Sequence, residues 1–104
     1  MKVKLPKKLV LAGEELRVET PTNKKWFEAE GDFDKGIITI PLKDIGNREM
    51  LKLGLFLHET FELAMTARGY AYNATGRKLF VMNHDDFRNI IDDVAMACKD
   101  LKIT

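Results

Sequence analysis

Leu55-Phe56-Leu57-His58-Glu59-Thr60-Phe61-Glu62-Leu63 carries three ionisable side chains through a run that is otherwise apolar but for Thr60. The run sits inside a longer helical pattern. Asn47 supplies a cap before it, Glu49 places an anion in the first turn, and Gly69 supplies a stop. These signals predict a helix from about Asn47 to Arg68. At about 100° per residue, His58 and Glu62 stack on one face with Leu51, Leu55 and Met65. Two polar groups therefore fall within an apolar stripe.

The chain before this helix reads as β structure. Leu9-Val10-Leu11 and Leu16-Arg17-Val18 flank a turn at Ala12-Gly13-Glu14, and Thr20-Pro21-Thr22-Asn23 reads as a loop. From Trp26 to Phe33 the pattern alternates, with Phe27, Ala29 and Phe33 opposite Glu28, Glu30 and Asp32. Asp34-Lys35-Gly36 forms a short hairpin connection, and Ile37 to Ile40 is the return strand. Pro41 then puts that strand's end at a sheet edge or outside the sheet.

After Gly69, residues Tyr70 to Met82 read as a long loop with a short strand at Leu79 to Met82. Asn83 caps a second helix, with Asp85 and Asp86 in its first turn, that ends near Lys102. Its residues His84, Phe87, Ile91, Val94, Cys98 and Leu101 recur at helical spacing and predict one packing seam. Strands followed by helices predict the α+β class. The expectation is a small antiparallel β-sheet or hairpin followed by two packed α-helices, as one domain over residues 1–104.

Composition narrows the function. The chain has 104 residues, 45% hydrophobic and 32% charged, a globular balance. Seventeen Lys and Arg against 16 Asp and Glu give a formal charge of +1, so nothing draws the whole chain to nucleic acid or an anionic membrane. The basic cluster Lys2, Lys4, Lys7 and Lys8 reads as a solvated terminus. One cysteine excludes an internal disulfide framework. No apolar stretch is long enough to span a membrane, and Leu9 to Ala12 is too short for a signal-peptide core. Together these predict a cytoplasmic location.

A carboxylate in an apolar stripe needs a compensating partner: a cation, a hydrogen-bond donor or a metal ion. If the two helices pack antiparallel with His84 inward, His58, Glu62 and His84 converge and leave a fourth position open. Two imidazoles and a carboxylate with one vacancy are the ligand set of a catalytic zinc site. Glu59, about one step around the helix, borders such a site without ligating. It could take a proton from metal-bound water and pass it to a leaving amine. The plainer alternative is a hydrogen-bonded His–Glu pair on a helix boundary. Asp85 is a fallback third ligand, and Cys98 reads as a core residue. Tyr70 and Tyr72 receive no role. A two-histidine, one-carboxylate iron site has the same ligand types, but nothing indicates the large β-barrel of such oxygenases.

Gly31-Asp32-Phe33-Asp34-Lys35-Gly36-Ile37-Ile38-Thr39-Ile40-Pro41-Leu42, followed after a spacer by Leu55-Phe56-Leu57-His58-Glu59, resembles the small zincin-like metallopeptidases of phages and mobile elements. These are related to ImmA/IrrE-type proteins. The resemblance covers roughly residues 27–102. The usual family motif has a second histidine four residues after the first, where this chain has Glu62. A subset of the family carries glutamate there and a histidine opening the next helix, a pattern that His84 matches. The resemblance implies zinc held by His58, Glu62 and His84, with Glu59 as the catalytic acid and base. It further implies that Ile38, Thr39 and Ile40 border the cleft and pair with an extended peptide. A carboxylate ligand in place of imidazole makes the zinc a poorer Lewis acid. The expected partner is therefore a peptide or protein substrate, with no membrane and no nucleic acid, and the small surface leaves room for a protein partner. The alternative is a catalytically inactive, metal-binding zincin-like domain acting as a regulatory or interaction module.

Overall fold

The computed structural model of the chain describes residues 1–22, 29–74 and 77–104. Its central element is a four-stranded sheet in the order β2-β3-β5-β4. The sheet is built from β2 (Lys8–Leu11), β3 (Glu14–Glu19), β4 (Glu30–Asp32) and β5 (Ile37–Thr39). Two short ribbons flank it: β1 (Val3–Lys4) pairs with β8 (Lys102–Ile103), and β6 (Ala71–Ala74) pairs with β7 (Arg77–Phe80). Three helices complete the described chain: α1 (Leu42–Ile45), α2 (Glu49–Ala67) and α3 (His84–Ala97).

The first hairpin forms where the sequence predicts it. Alternation in β2 sends Leu9 and Leu11 inward, and β3 contributes Leu16. Leu11 pairs with Glu14, so Ala12 and Gly13 form a two-residue loop. Both have positive φ, 51° and 80°, as a type I′ turn requires. The second hairpin turns at Asp34-Lys35-Gly36. Asp32 Oδ1 accepts from the Lys35 N–H at 3.2 Å, and Gly36 takes a φ of 67°.

The sheet is mixed rather than antiparallel. β5 pairs antiparallel with β4 and parallel with β3, so it lies between them. Burial explains the insertion, because Ile38 and Ile40 are both fully buried and a central strand covers both. Of the expected strand from Trp26 to Phe33, residues 26–28 lie outside the described residues, and β4 covers the remainder only from Glu30 to Asp32.

The predicted start of the long helix is displaced. A one-turn α1 occupies Leu42–Ile45, and α2 starts at Glu49 with Arg48 as its cap residue. Glu49 still lies in the first turn, where it accepts from the Val3 N–H at 3.3 Å and pairs with Lys52 at 2.9 Å. Lys52 in turn donates to the Val3 carbonyl at 3.1 Å, which fastens β1 to α2. At the other end Gly69, with φ of 75°, terminates the helix. Gly69 donates to the Thr66 carbonyl and Tyr70 to the Met65 carbonyl, the paired bonds of a Schellman motif.

Beyond that stop, the expected loop is a β6–β7 hairpin, with Ala71 opposite Phe80 and Ala74 opposite Arg77, and β7 overlaps the expected short strand at Leu79 and Phe80. Asn83 caps α3 in a reciprocal capping box with Asp86, at 2.9 and 3.0 Å. α3 ends at Ala97, short of the expected Lys102, because the last residues pair with β1 instead. Its buried residues are Ile90, Val94 and Ala97, while Phe87 and Ile91 are exposed. The expected seam is therefore rotated at Phe87 and Ile91, while Val94 and the half-buried Cys98 and Leu101 pack against the core as expected.

The two long helices form a second layer on the sheet, with α2 against β4, α3 against β2 and the helices against each other. Their inward side chains, among them Phe56, Leu63, Ala64 and Ile90, join Leu9, Leu11, Leu16, Ile38 and Ile40 in one core cluster. This is the α+β architecture. Among the described residues, no helix is long and apolar enough to cross a membrane.

Candidate metal centre

The middle of α2 gathers His58, Glu59 and Glu62, each offering a ligand atom within 4.8 Å of the others. Their depths differ. The His58 side chain is 61% exposed, Glu62 is 27% exposed and Glu59 only 8% exposed. The buried face of α2 is Phe56, Glu59, Thr60, Leu63, Ala64 and Met65. That corrects the expected stripe: Leu51 is exposed, and the group that enters the core is Glu59 rather than His58 or Glu62. The reason is packing. Phe56, Thr60 and Leu63 follow at four and three residues, and this row presents the bulk of Phe56 to the sheet. Thr60 is accommodated there by donating to the Leu57 carbonyl at 3.0 Å.

The two nitrogens of His58 face different carboxylates. Nδ1 lies 3.2 Å from Glu59 Oε1, and Nε2 lies 3.6 Å from Glu62 Oε1. Two ligands on a tetrahedral zinc at about 2.0–2.2 Å lie about 3.4 Å apart. The Nε2–Glu62 pair is close to that spacing and opens toward solvent, so it fits zinc. Glu59, deeper and on the opposite nitrogen, is placed to accept from Nδ1–H and fix the ring's tautomer. The His58 imidazole and the Glu62 carboxylate are borderline and hard donors of the kind that zinc takes.

His84 does not join this group. It is exposed at the first position of α3. Val81, just after β7, donates to the Tyr70 carbonyl at 2.7 Å, so α3 starts beside the C-terminal end of α2. β8, after α3, pairs with β1, which bonds to Glu49 in the first turn of α2. These connections run α3 back along α2, the condition on which the expected convergence of His58, Glu62 and His84 depends. Arg68, at the end of α2, binds Asp93 of α3 through Nε to Oδ2 and through Nη2 to Oδ1, the latter at 2.8 Å.

The expected peptide-pairing strand also needs correction. Ile38, Thr39 and Ile40 cannot offer an open backbone edge, because β5 is paired on both sides and Ile40 N–H donates to the Glu19 carbonyl at 2.9 Å. Ile38 and Ile40 serve the core. In the described sheet the outer strand on this side is β4.

The remaining candidates settle into structural positions. Asp85 is exposed in the first turn of α3. Burial pushes the half-buried Cys98 thiol up, which favours the neutral form. Arg68 is held strongly protonated, first by its hydrogen bond to Asp93 and further by Tyr70. The side chain of Tyr72 lies outside the described residues. The Arg68–Asp93 clasp has no local sequence signal, since its partners are 25 residues apart. Compared with family models, curated proteins and solved structures, the chain gives no match.

Proposed function

We propose that this chain is a zinc-dependent peptidase of the small zincin-like kind, with His58 Nε2 and Glu62 as ligands and Glu59 as the acid and base. The observation that carries the reading is the 3.6 Å spacing of His58 Nε2 and Glu62 Oε1, with the buried Glu59 carboxylate 3.2 Å from the other ring nitrogen. When bound, zinc lowers the pKa of water and polarises a carbonyl oxygen. The protein's own residues do the rest. His58 and Glu62, one turn apart on a rigid helix, keep their donor atoms at a fixed spacing. Glu59 keeps the imidazole oriented through Nδ1, and to accept a proton and return it to the leaving amine its carboxylate would turn from Nδ1 toward the Nε2–Glu62 side. A catalytic zinc commonly takes three protein ligands, of which His58 and Glu62 supply two.

A second reading follows from the position of His84 outside the cluster and the engagement of Glu59 with Nδ1. In it, the chain is a non-catalytic metal-binding module in which Glu59 only orients His58. Glu59→Gln separates the two. Glutamine keeps an acceptor for Nδ1–H but takes up no proton. The peptidase reading expects wild-type zinc content with hydrolysis of a peptide library abolished. Hydrolysis by neither protein, at full zinc content in both, supports the module.

A further inference from the structure

One turn beyond Glu62, α2 and the β4–β5 hairpin enclose a groove of about 290 Å³, lined by Asp32, Phe33, Asp34, Leu63 and Thr66 along with Gly31. A second groove of about 350 Å³ shares Phe33 and Asp34 and adds Glu14 and Ala67. Sharing Phe33 and Asp34, they make a trough between the two hairpin turns and the C-terminal end of α2. In a chain with 17 cationic and 16 anionic side chains, every charged residue among the described lining is a carboxylate. Lys35, in the same turn, does not line it and engages Asp32 through its backbone N–H.

We propose that this trough binds an extended peptide segment carrying lysine or arginine, and so selects basic substrates for the adjacent centre. The use as a substrate subsite rests on the peptidase reading; the binding itself does not. Three features fit. The carboxylates Asp32, Asp34 and Glu14 supply charge complementarity. Phe33, Leu63 and Ala67 offer apolar surface to the methylene stems of long cationic side chains. Placement is the third: Thr66 follows Glu62 by one turn, about 6 Å, which two residues of an extended chain span. Gly31 helps form the groove floor, since a Cβ there would stand 2.5 Å from Leu63 Cδ1.

The test uses zinc-free protein and needs no turnover. A blocked decapeptide of alternating lysine and alanine is titrated in at low salt and followed by amide NMR. Its glutamate-alanine and all-alanine counterparts are the controls. The expected result is saturable shifts at Asp32 to Lys35 and Leu63 to Ala67 with the lysine peptide alone, weakened by added salt. The double variant Asp32→Asn, Asp34→Asn should weaken binding about tenfold. The Asp32→Asn change retains a side-chain acceptor for the Lys35 N–H, and an otherwise unchanged amide spectrum shows that the hairpin is intact. Equal binding by the variant, equal binding of the alanine peptide, or shifts elsewhere on the surface would each overturn the proposal. Zinc content, measured separately, decides the peptidase reading.

Discussion

Arg68, at the end of α2, holds Asp93 of α3 through two parallel hydrogen bonds, a clasp that ties the two long helices together. Asp93→Asn should lower the melting temperature, by less at 0.5 M salt than at low salt, because the pair is partly solvated. A double-mutant cycle with Arg68→Ala should return a favourable coupling. Additive losses would show that the clasp does not act as a pair.

Ala12 occupies a left-handed conformation with φ of 51°, which strains a residue bearing a Cβ. Ala12→Asn, giving the asparagine-glycine pair favoured by type I′ loops, should stabilise the fold by about 1 kcal/mol. Thermal unfolding reads this as a rise of several degrees. An unchanged or lower melting temperature would contradict the turn assignment.

Gly31 lets β4 pack directly on Leu63, with no room for a methyl group. Gly31→Ala should therefore destabilise the fold by about 1–3 kcal/mol, as overpacking does. Adding Leu63→Ala should relieve part of the clash, measured by urea unfolding of the single and double variants.

Lys52 beside Glu49 holds that carboxyl below its ordinary value of 4.5, since the ammonium favours the charged form. The folded pKa lies below the unfolded one. The stability this contributes is thus fully present above the ordinary value and declines as the pH falls from there through the folded pKa. Glu49→Gln should flatten the part of the acid-unfolding curve below about pH 4.5. An identical pH dependence in both proteins would remove Glu49 from the account.

Much of the scaffold could be read locally. The turn at Ala12-Gly13, the hairpin at Asp34-Lys35-Gly36, the stop at Gly69 and the cap at Asn83 each follow from one or two residues with strong backbone preferences. What escaped depends on contacts between distant segments. Ile37 to Ile40 reads as a strand, but its insertion between β3 and β4 comes from pairing with Arg17 to Glu19. Strand β6 and the start of β7 escaped because Asn73, Arg77 and Lys78 give them a polar composition that resembles a loop, while Leu79 and Phe80 fall in the expected short strand. On α3 two apolar rows pass through Val94, and only packing against β2 and α2 favours Ile90 and Ala97 over Phe87 and Ile91. The pairing of His58 with Glu62 was legible because it is a one-turn spacing. The depth of Glu59 was not, because it depends on which side of α2 meets the sheet.

Zinc content by elemental analysis, on protein loaded with zinc and freed of excess, tests the proposed centre most directly. The wild type is compared with His58→Ala and Glu62→Ala, exposed or half-exposed positions whose truncation leaves the core intact. About one zinc per chain in the wild type is predicted, lost in both variants, with a zinc-dependent rise in melting temperature only in the wild type. No retained zinc in the wild type, or full zinc retained by His58→Ala, would contradict the account and leave His58 and Glu62 as a polar pair on the surface of α2.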